Sequence, residues 1–326
     1  MDTFSFENKL CLAPMAGATD YAFRKICIAG GADYTVSEMI SAKALCFKDK
    51  KTAVLARIRA EEHPIALQIF GSDPEIMAKA ANMLSTGSYE GCQSEILPFA
   101  IDINMGCPVH KIVSNKEGSA LMRDPVLAWE IMAAVKEGST VPVTVKIRAG
   151  FDKDHICAPL YAEMAQKAGL SAVCVHGRTR EQMYRPPVDL EVIKDCVSAV
   201  KIPVIGNGEI MSAQDALHMK EYTGCASLMI ARGALGNPYL FEEIRAKLEG
   251  KEYQAPGFRE RLEKALAHFE LLIADKGVHT GLLESRKHIA WYIKGMPGAP
   301  KLRDTVNRID SVEEMRNLLT EQIERS

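Results

Sequence analysis

Short apolar runs recur along the chain, separated by longer stretches in which apolar residues return every three or four positions. The runs predict strands at Leu10–Ala13, Tyr34–Ser37, Ile65–Ile69, Ala100–Asn104, Val143–Lys146, Ala172–Val175, Pro203–Ile205 and Ser227–Ile230. The stretches between them read as amphipathic helices. Pro74–Leu84 and Pro125–Val135 each open with proline after an aspartate, as an N-cap followed by a proline at the first helical position does. Eight strand–helix units suit a closed parallel (β/α)8 TIM barrel, whereas the other doubly wound α/β folds usually carry fewer strands.

The pattern changes near Gly250. From Arg259 to Lys276, and again from Leu283 to Lys294, the chain reads as helix without intervening strands, and Gly295-Met-Pro-Gly-Ala-Pro300 breaks the second of these before Val312–Ile323. A linker near Lys251–Gly257 divides the chain into a barrel over 1–250 and a small helical domain over 251–326. There is no internal repeat of fixed period and no low-complexity tract.

A chain of 326 residues, 47% hydrophobic and 25% charged, has the balance of a globular enzyme and is long enough to bury a core without staples. The nine cysteines show no C-x-x-C pair and no framework spacing, which points to a reducing compartment. Met1 to Gly17 lacks a basic segment followed by an apolar one, and no apolar run approaches membrane-spanning length. The expectation is a cytoplasmic protein with no membrane partner. A net charge of −2 argues against a protein that coats nucleic acid nonspecifically.

In such a barrel function collects on the loops after the strands, and nearly every predicted strand here runs into polar or special residues. Strand 1 leads to Pro14-Met15-Ala16-Gly17, strand 3 contains Gln68, strand 4 leads to Asn104-Met-Gly-Cys107-Pro108, and strand 5 ends in Lys146-Ile-Arg148. Strand 6 leads to His176-Gly-Arg178-Thr-Arg180, strand 7 to Gly206-Asn207-Gly208-Glu209, and strand 8 to Ala231-Arg232-Gly233. Glycine loops after strands 7 and 8 let backbone N–H groups approach a phosphate, and Arg232 adds a guanidinium suited to phosphate oxygens. Lys146 and Gln68 have the chemistry to meet the polar edge of a flavin ring. Cys107 is open to several readings: a nucleophile, a proton donor, a loop cysteine without a role, or, with His110, a metal ligand. Two ligands are too few for a metal site, so no metal is expected.

Leu12-Ala-Pro-Met-Ala-Gly17, Asp102-Ile-Asn-Met-Gly-Cys-Pro108, Val145-Lys-Ile-Arg148, Val175-His-Gly-Arg-Thr-Arg180 and Ile205-Gly-Asn-Gly-Glu209 resemble the successive signatures of the tRNA-dihydrouridine synthases, in that family's order. The likeness extends through Ala234-Leu-Gly-Asn-Pro238 to Arg286-Lys-His288 and Trp291-Tyr292. It implies an FMN-dependent oxidoreductase that reduces the C5–C6 double bond of uridine in tRNA. Hydride would pass from the reduced flavin to C6, Cys107 would give a proton to C5, and NADPH or NADH would re-reduce the flavin. Pro14, Met15 and Ala16 would pack along FMN, and Gln68, Lys146 and His176 would contact it. Asn207, Gly208, Glu209, Ala231 and Arg232 would hold its phosphate. Asn104, His176, Arg178 and Arg180 would surround the extruded base, with Arg286 and Lys287 touching the RNA. The loops at 114–119 and 185–190 depart from the family pattern beside the substrate.

Between Arg286 and Arg308 stand six Lys/Arg and one acidic residue, Asp304. Lys287, Trp291 and Lys294 share helical spacing, and cations with an interleaved aromatic suit RNA phosphates and bases. Neither DNA nor an obligatory protein partner is called for. The rivals are a small-molecule FMN barrel of the pyrimidine or dihydroorotate dehydrogenase type and a non-catalytic RNA- or phosphate-binding barrel.

Overall fold

The computed structural model describes residues 4–326, so Met1 to Thr3 of the segment read as leader-free lie outside the described residues. Eight parallel strands form a closed ring: β1 (Leu10–Leu12), β2 (Tyr34–Val36), β3 (Ile65–Phe70), β4 (Ala100–Met105), β5 (Val143–Arg148), β6 (Ala172–His176), β7 (Val204–Asn207) and β8 (Ser227–Ile230). Each pairs with the next, and β8 pairs with β1 to close the barrel. All eight predicted strands are present; β3 to β7 run one or two residues further at their C-terminal ends. A two-residue strand at Ile40–Ser41, beside the end of β3, was not anticipated. Asp73 and Asp124 cap the two proline-led helices, accepting from Ile76 and Leu127 N–H at 3.0 Å.

Side chains alternate faces along a strand, so inward positions recur every second residue. Near the strands' N-terminal ends those positions are apolar: Cys11, Tyr34, Ala66, Ala100, Ala172, Ile205 and Met229 form one buried cluster. Phe4, Phe6, Tyr34 and Phe99 stack edge-on and tilted beneath it, with ring centroids 4.2–6.0 Å apart, and plug that end. Toward the C-terminal ends the inward positions become Gln68, Asp102, Asn104, Thr144, Lys146, His176 and Asn207. The outward residues pack against the helices in the main apolar core.

After an irregular segment over 251–257, a helix spans Phe258–Tyr292 with a bend at Gly277, whose φ of 76° and ψ of 170° take it out of helical geometry. The two helices read from the sequence are the arms of this bent rod. A helix at Ala299–Arg308 was missed: its first turn carries Pro300, and its inward face offers little beyond Leu302 and Val306. The last helix is Val312–Arg325. These elements share their own apolar cluster, including Leu262, Phe269, Ile289, Val306, Met315 and Leu319. No helix among the described residues is long and apolar enough to cross a membrane.

The rod docks on the first barrel helix, Tyr21–Ala29. Phe23 stacks on His268 at 5.6 Å, Lys276 pairs with Asp20 at 2.5 Å, and Gly236 lies so close to Trp291 that an added Cβ would sit 2.3 Å from its carbonyl carbon. His268 and His288 meet at 4.4 Å in this seam, both buried. Burial lowers His268 from 6.5 to about 4. Burial, helped by His268 itself, takes His288 to about 2.

Both imidazoles are therefore neutral when folded, and the unfolded chain takes protons first as pH falls. Their contribution is intact above 6.5 and is lost progressively below it. We expect about 2 kcal/mol of lost stability per histidine between pH 7 and pH 5. Denaturant midpoints measured at the two pH values check this, and His288→Gln should roughly halve the histidine-dependent part of the drop.

Candidate functional site

The inward polar residues converge at the C-terminal mouth of the barrel, where the register places them in rows. Asn104 is level with Lys146, Arg148 with His176, and His176 with Asn207. Lys146 donates to Asn207 Oδ1 at 2.8 Å, and Asn207 donates in turn to the Met229 carbonyl at 2.7 Å, so the lysine is aimed across the mouth. Burial lowers the Lys146 pKa.

One side of the mouth is strongly cationic. His176 is buried and its pKa is held well below 6.5, first by burial and then by Lys146, Arg148, Arg178 and Arg232 around it. Two carboxylates oppose these four cations: Glu209, which receives Arg178 Nη2 in an ion pair, and the buried Asp102, which acts on Lys146. Such an excess of fixed positive charge calls for an anionic ligand. The backbone is shaped for one. Gly208 has φ 126°, and a Cβ there would meet Val188 at 2.8 Å and His176 at 3.0 Å. Among the described residues neither the Gly208 nor the Glu209 backbone N–H donates a backbone hydrogen bond, and the Arg232 side chain makes no hydrogen bond or ion pair. Its guanidinium lies 4.9 Å from the Tyr184 ring. Free N–H groups, a glycine cradle and an uncommitted arginine fit the phosphate of FMN. Lys146 and Gln68 lie deeper in the mouth, on the side where a ring's polar edge would rest. Pro14, Met15 and Ala16 line the rim beyond β1, partly exposed.

Cys107 stands across the mouth, half-buried. Its backbone N–H and that of Gly106 donate to Asn104 Oδ1 at 3.0 and 3.2 Å, and its carbonyl accepts from Ser119 Oγ at 2.8 Å. Burial raises the thiol's pKa, against smaller opposing effects of the Val109 N–H and Arg148. The thiol is thus neutral near pH 7, the state a proton donor needs.

Arg178, Arg180, Arg286 and Lys287, expected to meet the base or the RNA, are engaged by other groups of the protein. Arg178 is fully buried, holding Glu209 and, at 2.9 Å, the Arg185 carbonyl, and it lines the small cavity shared by Gly208, Glu209 and Arg232. Arg180 lies 5.3 Å from the Phe151 ring. Arg286 and Lys287 are away from the mouth on the bent rod. The Arg286 guanidinium donates to the Ile309 carbonyl, and Lys287 faces Glu284 at 3.7 Å.

Sequence reasoning passed over three residues that meet here. Arg148, buried without a carboxylate partner, donates to the carbonyls of Gly106, Thr179 and Met183 at 2.8–2.9 Å and ties the Cys107 loop to the loop after β6. Tyr184 lies between Arg148 and Arg232. Asp102 is buried under the mouth, bonded to Gln68 and Thr144. A charged residue inside or ending an apolar strand was the available signal for Asp102 and Arg148; Tyr184 depends on loop geometry that spacing does not carry.

Comparison with known proteins places this geometry. The solved structure of histamine dehydrogenase from Rhizobium sp. 4-9 superposes with a TM-score of 0.52 over 81% of this chain and 49% of its own, at 13% identity, a likeness of fold. tRNA-dihydrouridine synthase B of Pasteurella multocida is 37% identical over 313 residues, covering 96% of this chain and 92% of the relative. The protein of the same name from Pseudomonas aeruginosa is 38% identical over 311 residues, covering 95% and 91%. A probable tRNA-dihydrouridine synthase of Rickettsia conorii is 37% identical over 302 residues, covering 92% and 88%. The dihydrouridine synthase family model matches residues 11–326, and this chain belongs to the dihydrouridine synthase family.

Proposed function

We propose that this chain reduces the C5–C6 double bond of a uridine in tRNA, with Cys107 as the proton donor. The observation that carries the reading is the pairing of a neutral, half-buried thiol with an anion-seeking cradle across one barrel mouth. Family membership sets aside the small-molecule dehydrogenase and the non-catalytic barrel. Bound FMN, reduced by NADPH, supplies the hydride that no side chain can provide. The remaining work falls to the protein.

Arg232 and the N–H groups of Gly208 and Glu209 would hold the phosphate, with Asn207 and Ala231 completing the turn. Lys146 and Gln68 would meet the ring's polar edge, and Pro14, Met15 and Ala16 would pack along it. An extruded uracil would enter the mouth on the Cys107 side, beside Asn104 and His176. The buried Arg178 supports this wall through Glu209, while Arg180 lies further out. The thiol gives its proton to C5 while Arg148, near it, steadies the sulfur charge that forms.

In this reading residues 1–250 do the chemistry and 251–326 grip tRNA, which places the protein in the cytoplasm. Lys294, Lys301, Arg303 and Arg308 are exposed, and Lys294 and Arg303 line a groove of about 320 Å³. Arg286 is committed to Ile309, so these cations, with Lys287, are better placed for phosphate contact.

Cys107→Ala should retain FMN and tRNA binding while turnover falls by about 10²–10⁴-fold. In the unsubstituted protein the alkaline limb of the rate should lie above the ordinary thiol value of 9.0, because the acid must keep its proton. Normal turnover by the alanine variant would give the acid role to another group. Arg232→Ala should lose flavin on dialysis, read by absorbance; full occupancy would remove the clamp. Lys294→Ala with Arg303→Ala should leave flavin reduction by NADPH intact and weaken tRNA binding. The slope of log affinity against log salt should flatten by roughly 0.7 to 0.9 per lost contact. An unchanged slope would make these cations an ordinary wetted surface.

A further inference from the structure

The interior of the barrel carries a buried carboxylate that the reaction described above does not use. Asp102 is 2% exposed, and the register sets it level with Gln68 on one neighbouring strand and Thr144 on the other. Burying such a group in a layer normally filled by branched apolar side chains is costly unless it is fully hydrogen-bonded. Its two oxygens are satisfied by Gln68 Nε2 and Thr144 Oγ1, each at 2.6 Å.

The bonds continue upward in one direction. Gln68 gives its Nε2 to Asp102, so its Oε1 faces the mouth and accepts from Asn104 Nδ2 at 2.7 Å. Asn104 therefore turns its Oδ1 the other way, onto the backbone N–H groups of Gly106 and Cys107. The upper end of this chain is donor-only, because a backbone N–H can only give. The lower end accepts, because the carboxylate presents Oδ2 to Gln68. Between two such ends each amide has one permitted orientation.

We propose that Asp102 is a positioning residue for Cys107: through Gln68 and Asn104 it sets the direction of an amide relay that holds the thiol-bearing loop in place. The reading rests on Cys107 being the reacting thiol. An apolar residue at 102 leaves the buried Gln68 Nε2 without an acceptor, so that only the loop's own N–H groups oppose a turned amide. The reversed amide presents Nε2 to Asn104, which must then offer Oδ1 downward and Nδ2 to the loop's N–H groups. Donor would face donor, and the loop would lose both bonds. Asparagine at 102 keeps the relay, with Oδ1 toward Gln68 and Nδ2 toward the Thr144 oxygen. The isosteric amide thus separates direction from charge.

The test is alkylation of Cys107 by iodoacetamide in FMN-loaded protein without RNA, followed by peptide mapping across a pH series. Asp102→Leu should alkylate roughly tenfold faster at pH 8, with the rise displaced to lower pH as the loop loosens and the thiol becomes less buried. Its dihydrouridine formation should fall by about 10²-fold, the cost of a misplaced reacting group, while NADPH still reduces the flavin. Asp102→Asn should show the unsubstituted alkylation profile, and it serves as the folded comparison if the leucine variant is poorly behaved. An Asn variant as perturbed as the Leu variant would assign the effect to charge and overturn the relay. A Leu variant with an unchanged profile would overturn it as well. Alkylation is read on the sulfur itself, so it decides the relay even if Cys107→Ala retains full turnover and the acid role fails.

Discussion

A strand in a closed barrel has two faces, and the inner one must fill a space with no exit through the sheet. Everything else in this molecule follows from how the inner positions are assigned. The lower layers are small or apolar and seal against one another above an aromatic plug. The upper layers are polar, and none of those residues can be solvated from below. Their hydrogen bonds have to run to each other or to whatever occupies the mouth. Lys146 onto Asn207, Asn207 onto Met229, and Gln68 onto Asp102 are the internal solutions. Arg232 and the Gly208 turn are the part left for a ligand.

The same constraint separates two kinds of cation. Arg148 and Arg178 are buried and bonded to carbonyls or to Glu209, so their guanidinium groups behave as fixed braces between loops. Arg232 has no such partner. Burial, and then the fixed positive charge around it, keeps the His176 imidazole neutral, which preserves it as a hydrogen-bonding group instead of a further repulsive charge.

Strand positions were legible because short apolar runs, ended by glycine and polar residues, stand out in a single chain. The rim residues were legible for the same reason: they follow the strands directly. What escaped were contacts between distant segments. Nothing local says that Arg286 closes on Ile309, and its place in a basic stretch suggested RNA instead. The Ala299–Arg308 helix hid behind a proline and a weakly apolar face. Asp102 stood in view inside a recognised motif, but its meaning needs Gln68 and Thr144 from neighbouring strands. Sequence spacing identifies which groups share a mouth. It does not say which of them are already bonded.

The aromatic plug has a consequence for access to the mouth. Phe4, Phe6, Tyr34 and Phe99 close one end of the barrel, so a nicotinamide and an extruded base must approach a bound flavin through the same opening. Whatever reduces the flavin and whatever the flavin reduces would share one doorway, so a change at this rim would be felt by both visitors.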